Sequence, residues 1–306
     1  MRKLSLGFTA LICAATLIFS NDISLASASN KETNVIINNS KLASAEILLK
    51  NGQVFISLTG AKVLDDLTFK WNNTTKQVSV KGKETNLLLT INKTTAEKNG
   101  VTVKLSTAPF IHNGKTMIPL RFVTEAMNSS VTWNQSTQTA FITKASSKLI
   151  NDFKSDQLST ARNAVINMPR VSQLPKNFEP SEDTSSIQYY FPEKVSNQFL
   201  EVYNNVISYY QISNNTAYLK WQGLIGDKTS TQNDLYFINR NITNEVGTLP
   251  SFKNTTFASF RWMPHIVATG YSLINNENWN DVLFKEEEVE QNKVNENYII
   301  VDIPEE

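Results

Sequence analysis

The sequence predicts an α+β protein in which a small duplicated antiparallel sheet-plus-helix unit precedes a β-rich C-terminal domain. Three observations predict it. A hairpin–helix–hairpin pattern occupies residues 109–143, a diverged copy occupies 47–81, and from Ser186 onward aromatic and β-branched runs alternate with Asn-rich turns.

The second copy carries the clearer pattern. Phe110-Ile111 and Thr116–Ile118 flank His112-Asn113-Gly114-Lys115, and Asn-Gly is favoured where a tight hairpin turn needs positive φ. Pro119 has no N–H to give to a sheet and suits a helix start. The helix is expected from Leu120 to Met127, with Leu120, Val123 and Met127 on one apolar face, ending at Asn128-Ser129-Ser130. Val131 and Trp133 then alternate with Thr132, Asn134–Gln138 turns the chain, and Thr139–Thr143 returns as a strand.

The first copy follows at an offset of 62 residues, from Gly52 to Gly114. The same offset pairs Ile56 with Ile118, Leu58 with Leu120, Trp71 with Trp133 and Val80 with Ile142, without a gap. Charged Arg121 and Glu125 are matched by Thr59 and Val63. Apolar positions persist while charges change, which marks a duplicated packing unit and not a duplicated active site. Leu58, Leu120, Trp71 and Trp133 are therefore expected in its core, and Gly52 and Gly114 in its turns.

The run NGKTMIPLRFVTEAMNSSVTWNQSTQTAFI resembles the stalk domain found at the N-terminus of some copper amine oxidases and widespread in secreted proteins of Gram-positive bacteria. In that family an Asn-Gly-Arg turn leads into a V/I-P-L-R block, a helix containing Glu-Ala and a V-x-W-D strand. Here Lys115 stands where Arg is usual, Asn134 where Asp is usual, and Asn128-Ser129 where the helix commonly ends in Leu-Gly. The resemblance covers Glu46–Lys144. It implies a small antiparallel sheet wrapped on a helix, without a catalytic role.

The chain has 306 residues, a length that suits two domains. Hydrophobic residues at 41% and charged residues at 19% exclude global disorder. A net charge of +1 offers no basic field for nucleic acid and no basic amphipathic helix for a membrane surface.

Met1–Ala28 reads as a signal peptide, with Arg2-Lys3, the apolar run Leu4–Phe19 and the small-x-small site Ala26-Ser27-Ala28. The run is shorter than the ~20 apolar residues a span requires, so no integral membrane span is expected after cleavage. Cys13 follows Ile12, which is not the small residue a lipidation site needs, and the mature chain then holds no cysteine for disulfides or thiol catalysis. Without a sortase-type motif, the expected location is extracellular: secreted, or associated non-covalently with the wall.

Residues 29–45 are expected to be a flexible lead-in. Asn86–Ile91 and Val101–Leu105 read as strands joined through Asn92–Gly100. The small polar stretch Lys144–Lys148 marks a boundary, so the duplicated module spans 46–144 and the C-terminal domain 149–306. In that domain Ser159–Asn167 reads as a helix and Leu174–Thr184 as a loop. Ser186–Phe191, Gln198–Tyr203, Val206–Ile212, Thr216–Gln222, Phe257–Trp262 and His265–Ile274 read as strands. Asp281–Gln291 reads as a short charged helix and Tyr298–Ile303 as a closing strand.

Catalytic constellations are hard to find. A copper amine oxidase needs three histidines and a Tyr in a T-x-x-N-Y-D/E context. This chain has His112 and His265 only, and Asn297-Tyr298-Ile299 lacks both the Thr and the acid. Asn276, Asn278, Asn280 and Glu287 have calcium-loop spacing, but the first position is not Asp and Asp281 stands where Gly is required. Glu286–Glu288 and Glu290 read as a solvated face. No phosphate loop or nucleophile elbow is found. The expectation is a non-enzyme without cofactor or metal.

Aromatic residues Tyr189, Tyr190, Tyr209, Tyr210, Trp221 and Trp262 lie in the expected strands, where alternation sends about half to the core. Tyr210, Trp221 and Trp262 are the candidates for stacking on sugar rings. The expected function is a secreted, non-catalytic cell-envelope protein. Its stalk module is a spacer or docking unit, and its C-terminal domain binds cell-wall polysaccharide or another envelope protein. The alternative is an extracellular hydrolase acting on wall or extracellular polymer through a pair of carboxylates of the kind that Glu182-Asp183 and Glu193 supply, although their spacing does not single them out.

Overall fold

The computed structural model describes residues 32–64, 67–181, 187–226, 242–252, 254–263, 268–275, 283–288, 299–304 and 306. The signal segment 1–28, Glu182, Asp183, His265, the Asn276–Asp281 motif and Tyr298 lie outside them. Residues from Glu32 onward form one compact unit.

The chain enters through β1 (Asn34–Ile37) and β2 (Ser40–Lys41), joined by a turn with Asn38 and Asn39 at φ 44° and 72°. Residues Asn34–Ile37 and Ser40–Lys41 of the expected flexible lead-in are thus strand. Val35 and Ile37 are fully buried on one face of β1, while the intervening Ile36 is half-buried on the other.

The first repeat comprises β3 (Ile47–Lys50), β4 (Gln53–Ser57), α1 (Leu58–Ala61), β5 (Thr68–Asn72) and β6 (Gln77–Lys81). An antiparallel extension follows: β7 (Asn86–Thr90), β8 (Thr95–Lys98) and β9 (Val101–Lys104). Strand β8 falls where a loop was expected, since Ala96 is its one buried side chain. The second repeat is β10 (Phe110–His112), β11 (Lys115–Pro119), α2 (Leu120–Ala126), β12 (Ser130–Asn134) and β13 (Thr139–Thr143). Strands β4, β5 and β6 map onto β11, β12 and β13 at the offset of 62, residue for residue.

The copies pair with each other. Ile56 lies opposite Ile118, Phe55 opposite Pro119 and Ser57 opposite Met117. Because Ile56 and Ile118 are themselves equivalent positions, this antiparallel register places a local pseudo-dyad at their contact. The resulting sheet runs β10-β11-β4-β3. Away from the dyad the symmetry ends. Strand β6 continues into β7, giving the sheet β5-β6-β7-β8-β9, whereas β13 takes β1 in parallel, giving β12-β13-β1-β2. The three sheets and α2 share one core, which includes Val35, Ile56, Leu89, Ile118, Val123 and Ile142.

The C-terminal part opens with α3 (Ser147–Phe153), which starts within the expected boundary because the Ser146 hydroxyl caps it by accepting from the Leu149 N–H. Then come α4 (Leu158–Ile166), β14 (Arg170–Ser172), β15 (Ile187–Pro192), β16 (Gln198–Tyr203), β17 (Val206–Ser213), β18 (Thr216–Ile225), β19 (Ile242–Gly247), β20 (Thr256–Met263), β21 (Ala268–Asn275) and β22 (Leu283–Glu288). They form one sheet in the order β14-β18-β17-β16-β15-β20-β21-β22, with β19 also on β18. The charged segment expected to be helical contains strand β22, because pairing with β21 overrides the helix preference of Lys285–Glu288. The expected closing strand is also different. Residues 299–304 carry no strand pairing, and the Asn163 side chain holds Ile300 by donating to its carbonyl and accepting from its N–H.

Both faces of this sheet are covered. Tyr189, Phe191, Phe199, Tyr210 and Phe260 pack with Val165 and Ile166 of α4 and with Ile300 and Ile303. Tyr190, Leu200, Tyr209, Trp221 and Phe257 fill a second cluster, with Phe252 and Ile242 against it. A register shift opposite Tyr209 and Tyr210 leaves Lys220 of β18 as an extra residue, so Leu219 and Trp221 face different clusters.

Two polar devices tie the chain together. Arg162, only 1% exposed, donates both terminal nitrogens to the Glu306 carboxylate and its Nε to the Val195 carbonyl at 3.0 Å. Its guanidinium lies 5.0 Å from the Phe191 ring centre. Between the modules, buried Asn134 donates to the carbonyls of Ser172 and Leu174 at 3.0 and 2.8 Å. Its side-chain oxygen accepts from the N–H groups of Ser136 and Thr137. Asn39 adds a second clip, donating to the Met168 carbonyl and accepting from the Arg170 N–H. An Asp at position 134 keeps the turn but cannot donate to two carbonyls. Asn72, its counterpart, makes the same turn and is exposed.

Asn134→Asp is therefore expected to lower unfolding stability by about 1–3 kcal/mol in urea titration, with Asn72→Asp close to wild type. Glu306→Gln is expected to cost about 3–5 kcal/mol by leaving a buried guanidinium uncompensated, and Arg162→Met added to it to recover part of that loss in the same assay.

Candidate functional site

The expected stacking residues do not form a site. Tyr210 is 6% and Trp221 3% exposed, in separate clusters, and Trp262 is half-buried on β20. The alternation argument assumed one solvated face; here both are covered, so Tyr189, Tyr190, Tyr209, Tyr210 and Trp221 are all core residues. Trp221 spends its indole N–H on Glu245 at 3.0 Å. Tyr210 lies under Arg170, whose guanidinium is 4.7 Å from the ring centre and forks onto Glu201 at 2.9 and 2.6 Å. Burial pushes the Tyr189 and Tyr210 hydroxyls above their ordinary value, so both are neutral hydrogen-bonding groups, not nucleophiles.

The tryptophans expected in the module core are at its surface: Trp71 is 41% and Trp133 38% exposed. The correction has a geometric cause. β5 and β12 are both edge strands. Trp133 shares its strand face with exposed Val131, while Asn134, the next residue, turns inward. Leu58 and Leu120 are buried, and Gly52 and Gly114 sit at φ 71° and 75° in their turns with open space around them.

Trp133 borders a groove of about 480 Å³ formed where the first repeat's turn meets the second repeat's helix start. Gly52–Val54 form one wall, Pro119–Arg121 another, and Val131, Trp133 and Ala140 the floor and rim. The Trp133 N–H donates to Gln135 Oε1 at 2.8 Å, which fixes the ring's orientation. Arg121 is exposed and makes no ion pair among the described residues. An adjoining cleft shares Gln53 and is lined by Lys50, Asn92, Thr107 and Phe110, with the Lys50 ammonium 4.3 Å from the Phe110 ring centre.

The dyad-related surface is built differently. Gln53, Pro119 and Arg121 correspond there to Lys115, Ser57 and Thr59. Glu46 joins two of them, accepting from Lys115 Nζ and from the Ser57 hydroxyl. The hydrogen bond from Lys115, then that from Ser57, hold the Glu46 carboxyl below its ordinary value.

His112 is exposed in its turn, and among the described residues no group of three His, Cys, Asp or Glu side chains is gathered for a metal such as copper. Glu193 lies at the surface with Lys194 at 3.5 Å. No described helix is long and apolar enough to cross a membrane.

The first part of the chain is thus three sheets on one shared core with an open surface groove. Residues 35–165 match the family model described as the copper amine oxidase N-terminal domain, a non-catalytic stalk-type domain. The match begins within β1 and reaches into α4, beyond the expected 46–144 at both ends. No curated protein matches the chain.

Because the folded-state pKa of Glu46 lies below 4.5, its contribution to stability is complete above that pH and is lost as pH falls through the folded value. Glu46→Gln is accordingly expected to flatten the acid limb of the stability profile below pH 4.5, followed by circular dichroism melts, and to leave the neutral limb parallel to wild type.

Proposed function

We propose that this protein is an exported, non-catalytic component of a cell envelope, in which the stalk-type module is the docking unit. The N-terminal signal pattern supports export, and the family of the module supports an extracellular setting. The observation that carries the docking role is the open groove with a fixed, exposed Trp133 beside the uncommitted cation of Arg121. The C-terminal sheet keeps Tyr189, Tyr190, Tyr209, Tyr210 and Trp221 inside. Its role in this reading is to form a rigid body joined to the module through Asn39 and Asn134. Cell-wall polysaccharide is the proposed partner.

The test is co-sedimentation of the mature chain, from Ser29, with purified cell walls. Retention that resists washing with neutral buffer and declines as salt is added is the expected result. A chain left wholly in the supernatant at low salt would sink the wall assignment.

A further inference from the structure

Resting on that reading, we propose that the groove and its adjoining cleft bind an anionic glycan, with a sugar ring lying on Trp133 and its acidic substituent paired with Arg121. Charge complementarity selects the sign of the ligand. The charged residues lining the two clefts are Arg121 and Lys50, and no carboxylate lines either. Neither cation has a salt-bridge partner among the described residues. Arg121 also stands in the first turn of α2, where the helix dipole disfavours a positive side chain, so helix stability does not account for it.

The rest of the lining selects the ligand class. A flat indole whose orientation is already set loses little freedom when a ring stacks on it. Around it lie amides and hydroxyls suited to polyhydroxyl rings: Gln53, Ser106, Thr107 and Asn92. The two clefts share Gln53, and a shared wall suits a polymer crossing both more than a single small molecule. Two cations are too few for a nucleic-acid backbone.

The duplication supplies an internal comparison. At the dyad-related position Trp71 is equally exposed, but Thr59 replaces Arg121, and Lys115 is neutralised by Glu46. The copies keep their core positions and diverge at the groove, so one of two geometrically related surfaces offers a cation to a ligand. Trp71 thus serves as the control for Trp133.

The mature full chain is titrated calorimetrically with polygalacturonate oligomers, neutral maltohexaose and polyglutamate. Binding of polygalacturonate alone is expected, weakened about tenfold or more by Arg121→Gln and by Trp133→Ala, unchanged by Trp71→Ala, and reduced by salt. Arg121→Gln is expected to melt like wild type, since the side chain is exposed. Equal binding of maltohexaose, equal losses for Trp71→Ala and Trp133→Ala, or polyglutamate binding as tightly through Arg121 would overturn the proposal, the last in favour of an acidic-peptide site. The same variants in the wall assay separate the two readings. Full retention of Arg121→Gln and Trp133→Ala on walls overturns the groove and leaves wall docking standing. Arg121-dependent polygalacturonate binding without wall retention supports the groove and overturns wall docking.

Discussion

The structure of the N-terminal module depends on the antiparallel pairing of β4 with β11 about Ile56 and Ile118. Each of these strands runs directly into its helix, so the pairing fixes where α1 and α2 begin and which faces they present to the common core. The hairpin after each helix then reaches a different sheet, one extended by β7 to β9 and the other closed by β1 in parallel. A single repeat could not bury Leu58 or Leu120 alone; two repeats sharing one core can.

Core and surface positions diverge under different constraints. Replacing a buried apolar side chain leaves a cavity or an overpacked site, at about 1–5 kcal/mol. Exposed positions change at little cost to stability. Ile56 with Ile118 and Leu58 with Leu120 therefore persist between the copies, while Gln53 with Lys115 and Arg121 with Thr59 differ. The difference has a physical result. One side of the dyad is closed upon itself by Glu46, and the other retains a groove, a fixed indole and an unspent positive charge.

The C-terminal sheet shows how a domain without disulfides is held. Aromatic side chains on both faces supply the apolar burial, and Arg162 with Glu306 fastens the final residues onto α4. The joint to the stalk-type module uses amide side chains, Asn39 and Asn134, which can donate and accept at once. Asn134 is a departure from the family's usual Asp, and its second function as a donor is the physical reason it fits here.

Much of this was legible in the residues. The Asn-Gly turns, the span of α2, the repeat offset and most strands of the C-terminal sheet follow from local backbone preferences and periodicity, which act over a few residues. The lead-in strand β1, the strand β22 and the unpaired Ile300 segment were not, because each is held by partners remote in sequence. The site was less legible. The change from Arg121 to Thr59 was read only as the mark of a packing unit, and both tryptophans were assigned to a core they do not occupy. Alternation in a strand marks two faces without saying what covers either. By itself the sequence determined the duplicated unit and its turns. Only the tertiary structure decided that Tyr189, Tyr190, Tyr209, Tyr210 and Trp221 are buried on two covered faces and that Trp133 borders an open groove, because burial depends on layers brought together from distant parts of the chain.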